Sequence, residues 1–213
     1  MKKKLPKGLY AITAQNLSNG RDNITVVKEM FDGGIKILQY REKQKSKLEK
    51  YKECETIMKL AKEYGVFFII NDDIDIALSL SCGGIHIGQD DLPILKAREI
   101  VGADMLIGLS THSPVQAQEA VKNGADYIGV GPIFKTFTKV GVVEPVGFAY
   151  LDYCVKNIQI TKVAIGGIKL SNLESIAKYH CENICMVSEI TGAQNIKETI
   201  KQAQKILDIY EAK

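Results

Sequence analysis

The chain has 213 residues, is 46% hydrophobic and 25% charged, and carries a formal net charge of +3. That length suffices for one domain over residues 1–213 with a full buried core, and the small charge without an aromatic-interleaved basic stretch argues against a nucleic-acid partner. No apolar run approaches the roughly 20 residues that span a bilayer, and Lys2, Lys3 and Lys4 are not followed by the apolar core of an export signal, so neither a membrane partner nor export is expected.

Strand-like and helix-like runs alternate along the chain. The first strand is predicted over Leu9–Thr13 and the second over Ile35–Arg41. Alternation with period two puts Ile35, Ile37, Gln39, Arg41 and Lys43 on one face. On an inward face the apolar members fill a barrel and the polar members emerge at its C-terminal mouth. An anionic ligand would pair them there; the plainer alternative is a surface loop with a salt bridge to Glu42. Ser46-Lys47-Leu48-Glu49 has the form of a capping box at a helix start. The third strand, Val66–Asn71, runs into Asp72 and Asp73. The fourth, Gly84–Ile87, runs into Gly88-Gln89-Asp90-Asp91. Asp73 and Asp75 have helix capping or solvent as their plain roles, and Asp90 or Asp91 has the N-cap before Leu92-Pro93. His86 reads as a packed or hydrogen-bonded histidine rather than a metal ligand.

The fifth strand, Leu106–Ser110, precedes Ser113-Pro114, with Pro at a first helical position where its missing N–H does no harm. The sixth, Tyr127–Gly131, enters a long loop reaching about Pro145. That loop holds Thr136, Thr138 and Lys139, two hydroxyls and a cation suited to phosphate oxygens, and its length suits a lid. The seventh, Lys162–Ile165, ends at Gly166-Gly167, and Ser171-Asn172-Leu173-Glu174 has the capping-box form again. The eighth, Asn183–Val187, ends at Ser188. The cysteines (Cys54, Cys82, Cys154, Cys181 and Cys185) form no CxxC pair and predict reduced thiols in a cytoplasmic protein. His180, Cys181 and Cys185 lack the further Cys/His pair of a tetrahedral zinc site.

Eight β-then-α units predict a parallel (β/α)8 TIM barrel. The rival, an open doubly wound sheet, is disfavoured because no Gly-x-Gly-x-x-Gly turn follows the first strand. In a barrel, adjacent strand ends are neighbours, which brings Asp72 and Asp91 together as hard oxygen ligands for Mg²⁺. The loops after strands seven and eight form the usual phosphate site of such barrels. No Ser-His-Asp or Cys-His signature demands a protein nucleophile.

Several segments, in this order, resemble the thiamine phosphate synthase family. They are Leu9-Tyr10-Ala11-Ile12-Thr13, Gln39-x-Arg41-Glu42-Lys43, Ile70-Asn71-Asp72 and His86-x-Gly88-Gln89-Asp90-Asp91. The series continues with Gly108-Leu109-Ser110-Thr111-His112, Gly131-Pro132-Ile133-Phe134, Thr136-x-Thr138-Lys139, Ala164-Ile165-Gly166-Gly167-Ile168 and Val187-Ser188. The resemblance implies a barrel enzyme, usually a homodimer. It implies a transferase that joins a hydroxymethylpyrimidine diphosphate to a thiazole phosphate, carboxylated or not, through a dissociative displacement that releases diphosphate. It implies Mg²⁺ on Asp72 and Asp91. Gln39, Arg41, Lys43, Asn71, Ser110 and Lys139 would bind the pyrimidine diphosphate. Thr136, Thr138, Gly167, Val187 and Ser188 would hold the thiazole phosphate. Arg41, Lys43, Ser110 and Lys139 would form the catalytic set. The alternatives on the same fold are a thiazole tautomerase and a non-catalytic phosphate-ligand sensor. The chain departs from the family pattern at Lys135, Phe137, the apolar stretch after Lys139, and His180-Cys181-Glu182-Asn183. It departs also at Glu189, whose carboxylate would repel phosphate unless it points away.

Overall fold

Short runs rich in Ile, Val and aromatic residues form strands, and each is followed by a helical run, several of them capped by a side chain or ended at a glycine. The computed structural model describes residues 4–138 and 143–211. Among the described residues the strands are β1 (Gly8–Ile12), β2 (Ile37–Tyr40), β3 (Phe67–Asn71), β4 (Gly84–Ile87), β5 (Leu106–Thr111), β6 (Tyr127–Val130), β7 (Thr161–Ile165) and β8 (Asn183–Cys185). They pair in chain order, all parallel, and β8 closes on β1. The expected (β/α)8 barrel is therefore the fold. The helices are α1 (Asn23–Asp32), α2 (Lys47–Tyr64), α3 (Ile74–Ser79), α4 (Ile94–Val101), α5 (Pro114–Lys122), α6 (Gly147–Asn157), α7 (Leu170–Ala177), α8 (Ser188–Thr191) and α9 (Ile196–Glu211).

Strand alternation divides the apolar residues between two cores. Leu9, Ala11, Leu38, Phe68, Ile70 and Ile85 face outward and pack with the helices. Tyr10, Ile12, Ile37, Ile69, Leu106, Tyr127, Val163 and Cys185 fill the barrel, with Leu5 beside them. Side chains one step further along the inward face emerge at the mouth, which is where the polar residues of β2 to β5 stand.

Two local expectations need correction. Ile35 does not share the inward face of β2. The strand begins at Ile37, and Ile35 packs in the outer core with the helices. The helix after β7 starts earlier than Ser171. Its first residue is Leu170, and Asn172 Oδ1 accepts the Lys169 N–H at 2.8 Å, so Asn172 rather than Glu174 reaches back to the cap.

The other two caps form as expected. Ser46 Oγ accepts the Glu49 N–H and Glu49 Oε2 accepts the Ser46 N–H, while Ser113 Oγ accepts the Gln116 N–H ahead of Pro114. Because α2 anchors the loop that carries Arg41 and Lys43, Ser46→Ala is expected to destabilise the protein by about 1 kcal/mol. Chemical denaturation checks this; an unchanged midpoint would make the box irrelevant to stability. All five cysteines are free thiols, and four of them are buried.

Candidate functional site

A cavity of about 160 Å³ opens among the C-terminal strand ends. Of the sequence-predicted site residues, Gln39, Arg41, Asn71, Ser110, Thr136, Thr138, Gly167, Val187 and Ser188 line it. Lys43, Asp72 and Asp91 form a linked group at the ends of β2, β3 and β4, next to Asn71. Lys139 lies outside the described residues.

The β2 end is braced from behind. Glu42 turns away from the mouth, where its Oε1 accepts from the Gln15 N–H at 3.1 Å and from Asn23 Nδ2 at 3.0 Å. Asn23 also donates to Glu53 on α2, which accepts from Tyr40 OH at 2.7 Å and pairs with Lys45. With Glu42 held there, Arg41 lines the cavity and Lys43 is 53% exposed against Asp72, so among the described residues the plain alternative, a surface loop with a salt bridge to Glu42, is not what forms.

Asp72 has φ +59°, a left-handed conformation that a short polar side chain tolerates better than most. Its N–H donates to the His86 carbonyl at 3.0 Å, tying the ends of β3 and β4 together. Asp91 is no N-cap; its Oδ2 accepts the Gly88 N–H at 2.7 Å, and the N-cap of α4 is Pro93. Burial pushes the Asp72 carboxyl above the usual carboxylate range; Lys43 pulls it back, and the neighbouring Asp91 raises it further. Two neighbouring carboxylates, one of them paired with Lys43, could together hold a small hard cation. Among the described residues no cluster of three or more His, Cys, Asp or Glu side chains offers a fuller cage.

On the far side of the ring from β3, the loops after β6, β7 and β8 supply hydroxyls and tight glycine turns. Thr136 Oγ1 donates to Thr138 Oγ1 at 3.2 Å and accepts the Thr138 N–H at 3.3 Å. Gly167 has φ +63°, and a Cβ there would stand 2.6 Å from the Lys135 carbonyl oxygen, so only glycine allows this close approach of the two loops. Ser188 opens α8, whose first N–H groups have no helical acceptor. Glu189 does point away. Its Oε1 accepts the Leu170 N–H at the start of α7, 3.0 Å away. At the departures before it, Lys135 Nζ lies 5.5 Å over the Phe137 ring, and that ring is 86% exposed.

Sequence reasoning missed the floor of the cavity. Gln39 Nε2 donates to Tyr10 OH at 2.7 Å, and Tyr10 OH lies 3.2 Å from Tyr127 OH. Tyr127 OH lies 3.0 Å from His86 Nδ1, and His86 Nε2 lies 3.0 Å from Ser110 Oγ. The available signal was inward parity: Tyr10 on β1 and His86 on β4 share their strands' inward faces with Ile12 and Gly84. His112 also lines the cavity, with its Nδ1–H donating to the Gly131 carbonyl at 2.5 Å.

Comparison with known proteins gives a consistent result. The family profile described as "Thiamine monophosphate synthase" matches residues 9–190. A protein named thiamine-phosphate synthase from Pelotomaculum thermopropionicum is 50% identical over 203 residues, covering 95% of this chain and 93% of that one. One of the same name from Lawsonia intracellularis is 49% identical over 203 residues, covering 95% and 94%. Among solved structures, a thiamine phosphate pyrophosphorylase from Pyrococcus furiosus superposes with a TM-score of 0.88 at 32% identity, covering 97% of this chain and 96% of that chain. Neither the tautomerase nor the sensor reading finds support among these relatives.

Proposed function

The chain belongs to the thiamine monophosphate synthase family, and we propose that its barrel mouth joins a hydroxymethylpyrimidine diphosphate to a thiazole phosphate. It is a transferase. The observation that carries the substrate reading is the placement of two polar groups suited to anions on opposite sides of one cavity mouth. Arg41, Lys43 and the Asp72–Asp91 pair stand on the β2 to β4 side. Thr136, Thr138, Gly167 and Ser188 stand on the β6 to β8 side.

In this reading the bond between the pyrimidine methylene and diphosphate breaks, and the electron pair leaves with diphosphate. The thiazole nitrogen then gives its lone pair to the methylene carbon, forming the new C–N bond. Arg41, Lys43 and Lys139 neutralise the departing charge, Gln39, Asn71 and Ser110 hold the pyrimidine, and Thr136, Thr138, Gly167, Val187 and Ser188 orient the second substrate in line. Asp72 and Asp91 would hold Mg²⁺, which when bound screens the diphosphate oxygens from one another. The close carboxylate pair, with the half-buried Asp72 carboxyl raised by burial and further by Asp91, is a charge arrangement that a divalent cation would relieve.

Diphosphate release from purified protein, assayed with each substrate omitted in turn and with Mg²⁺ withheld, tests the proposal. Release that needs all three, with thiamine phosphate as co-product, supports it. Release in no combination from folded protein sinks it. Ser188→Asp is expected to raise the KM for thiazole phosphate by about tenfold or more, since one added carboxylate near a bound phosphate costs on the order of 1 kcal/mol or more, while the KM for the pyrimidine diphosphate moves little. An unchanged thiazole KM would remove Ser188 from the phosphate site.

A cytoplasmic, single-domain homodimer belongs to the same proposal, resting on the free thiols and the family. No helix among the described residues is long and apolar enough to cross a membrane.

A further inference from the structure

The polar chain on the cavity floor joins residues of five strands: Gln39 on β2, Tyr10 on β1, Tyr127 on β6, His86 on β4 and Ser110 on β5. Every link but the first is, by distance alone, indifferent to which atom gives the proton. Counting protons removes that freedom. Gln39 Nε2 can only donate, so Tyr10 OH accepts there. The single Tyr10 proton then goes to Tyr127 OH. Tyr127, having accepted from Tyr10, spends its own proton on His86 Nδ1. A neutral imidazole that accepts at Nδ1 carries its hydrogen on Nε2, and that hydrogen points to Ser110 Oγ. The Ser110 proton is left unclaimed by the chain, on a side chain that lines the cavity.

We propose that Tyr10, Tyr127 and His86 are positioning residues that fix Ser110 as a hydrogen-bond donor to an acceptor atom of the pyrimidine diphosphate. The naming of that substrate rests on the proposed function; the proton order does not. The supporting geometry is built in. Burial pushes both phenols up, so both keep their protons. A Cβ on Gly108 would stand 2.0 Å from Tyr127 Cζ, so β5 leaves out a side chain at the place where this ring lies. The Gln89 side chain donates to the Ser110 carbonyl at 2.7 Å, holding the serine backbone as well.

The test has two readouts. Nitrogen-15 NMR of the His86 ring in ligand-free protein is expected to find the proton on Nε2 and an unprotonated Nδ1. A proton on Nδ1 would reverse the chain and overturn the proposal. Tyr127→Phe removes one oxygen and keeps the ring, freeing His86 to carry its hydrogen on Nδ1 and take the Ser110 proton at Nε2. The variant is expected to lower kcat about tenfold, the scale of one hydrogen bond, with the pyrimidine KM moving less. In a Ser110→Ala background the same change should alter kcat by less than about twofold, because the group it acts through is gone. Full additivity on Ser110→Ala would make Tyr127 a purely structural residue and end the proposal. Should the parent protein show no synthase turnover, the proposed function fails, and the His86 ring spectrum still decides the proton order.

Discussion

Asp72→Asn and Asp91→Asn are each expected to lower kcat by about 10²- to 10³-fold, the scale seen when one preorganised group that stabilises developing charge is removed. Asparagine is the informative replacement. It keeps the shape, it tolerates the left-handed conformation that residue 72 adopts at φ +59°, and at residue 91 its amide oxygen can still accept the Gly88 N–H. Alanine at position 72 would mix loss of charge with backbone strain. Turnover is measured across a Mg²⁺ titration; near-parental rates for both variants at limiting Mg²⁺ would remove the assignment of a metal to this pair.

The same substitutions carry a stability signature with the opposite sign. Asp72 is held above its ordinary range by burial and by Asp91, so its ionised form is less favourable in the folded protein than in the unfolded chain. For an acid raised in this way, the linkage costs stability above the folded value and relaxes as pH falls through it. At neutral pH without metal, Asp72→Asn therefore removes a strained charge and should melt no earlier than the parent. Added Mg²⁺ should raise the Tm of the parent and not that of the variant. A variant that loses stability in metal-free buffer would contradict the charge argument, whatever its activity.

What the sequence made legible follows from which forces are local. The barrel was readable because each strand is a short β-rich run, and counting strands was enough to bring Asp72 and Asp91 together: both follow the last residues of neighbouring strands. Gln39 was readable from alternation, which is a property of the strand itself, and the same parity holds for Arg41, which lines the cavity one residue past the end of β2. Ile35 was not, because alternation was extended beyond the true start of β2 at Ile37. The start of α7 was misplaced because Ser171 and Glu174 match the capping pattern, yet Asn172 captures the Lys169 N–H two residues earlier. Glu189 had a sign that depended on direction, and only the packing of α8 beside α7 turns it to the Leu170 N–H. The floor of the site was the least legible. Residues 10, 86 and 127 are far apart in the chain, and barrel closure alone places the polar ends of Tyr10 and His86 within 3.2 Å of the Tyr127 hydroxyl.

Gly108→Ala is expected to be among the most destabilising single-methyl changes in the protein. The added Cβ would lie 2.0 Å from Tyr127 Cζ and 2.4 Å from both Cε2 and OH. Those atoms cannot step aside cheaply, for the ring is fully buried and its hydroxyl is fixed between Tyr10 and His86. Overpacking of a closed core costs about 1–3 kcal/mol, and in a chain of this size each kcal/mol lowers Tm by about 2–4 °C. A loss of roughly 2–12 °C is the expected result, together with a loss of turnover because displacement of the ring breaks the link to Ser110. Gly129→Ala is the control. It adds the same methyl on the neighbouring strand, where the nearest atom, His86 Cε1, is 3.5 Å away, and it should melt close to the parent. Tyr127→Leu in the Gly108→Ala background removes the offending ring atoms and should recover part of the lost Tm without recovering turnover, separating the steric role of the ring from the hydrogen-bonding role of its oxygen. A Gly108→Ala protein that melts with the parent would mean that β5 yields by the full overlap, and the ring would then not be held as the hydrogen bonds imply.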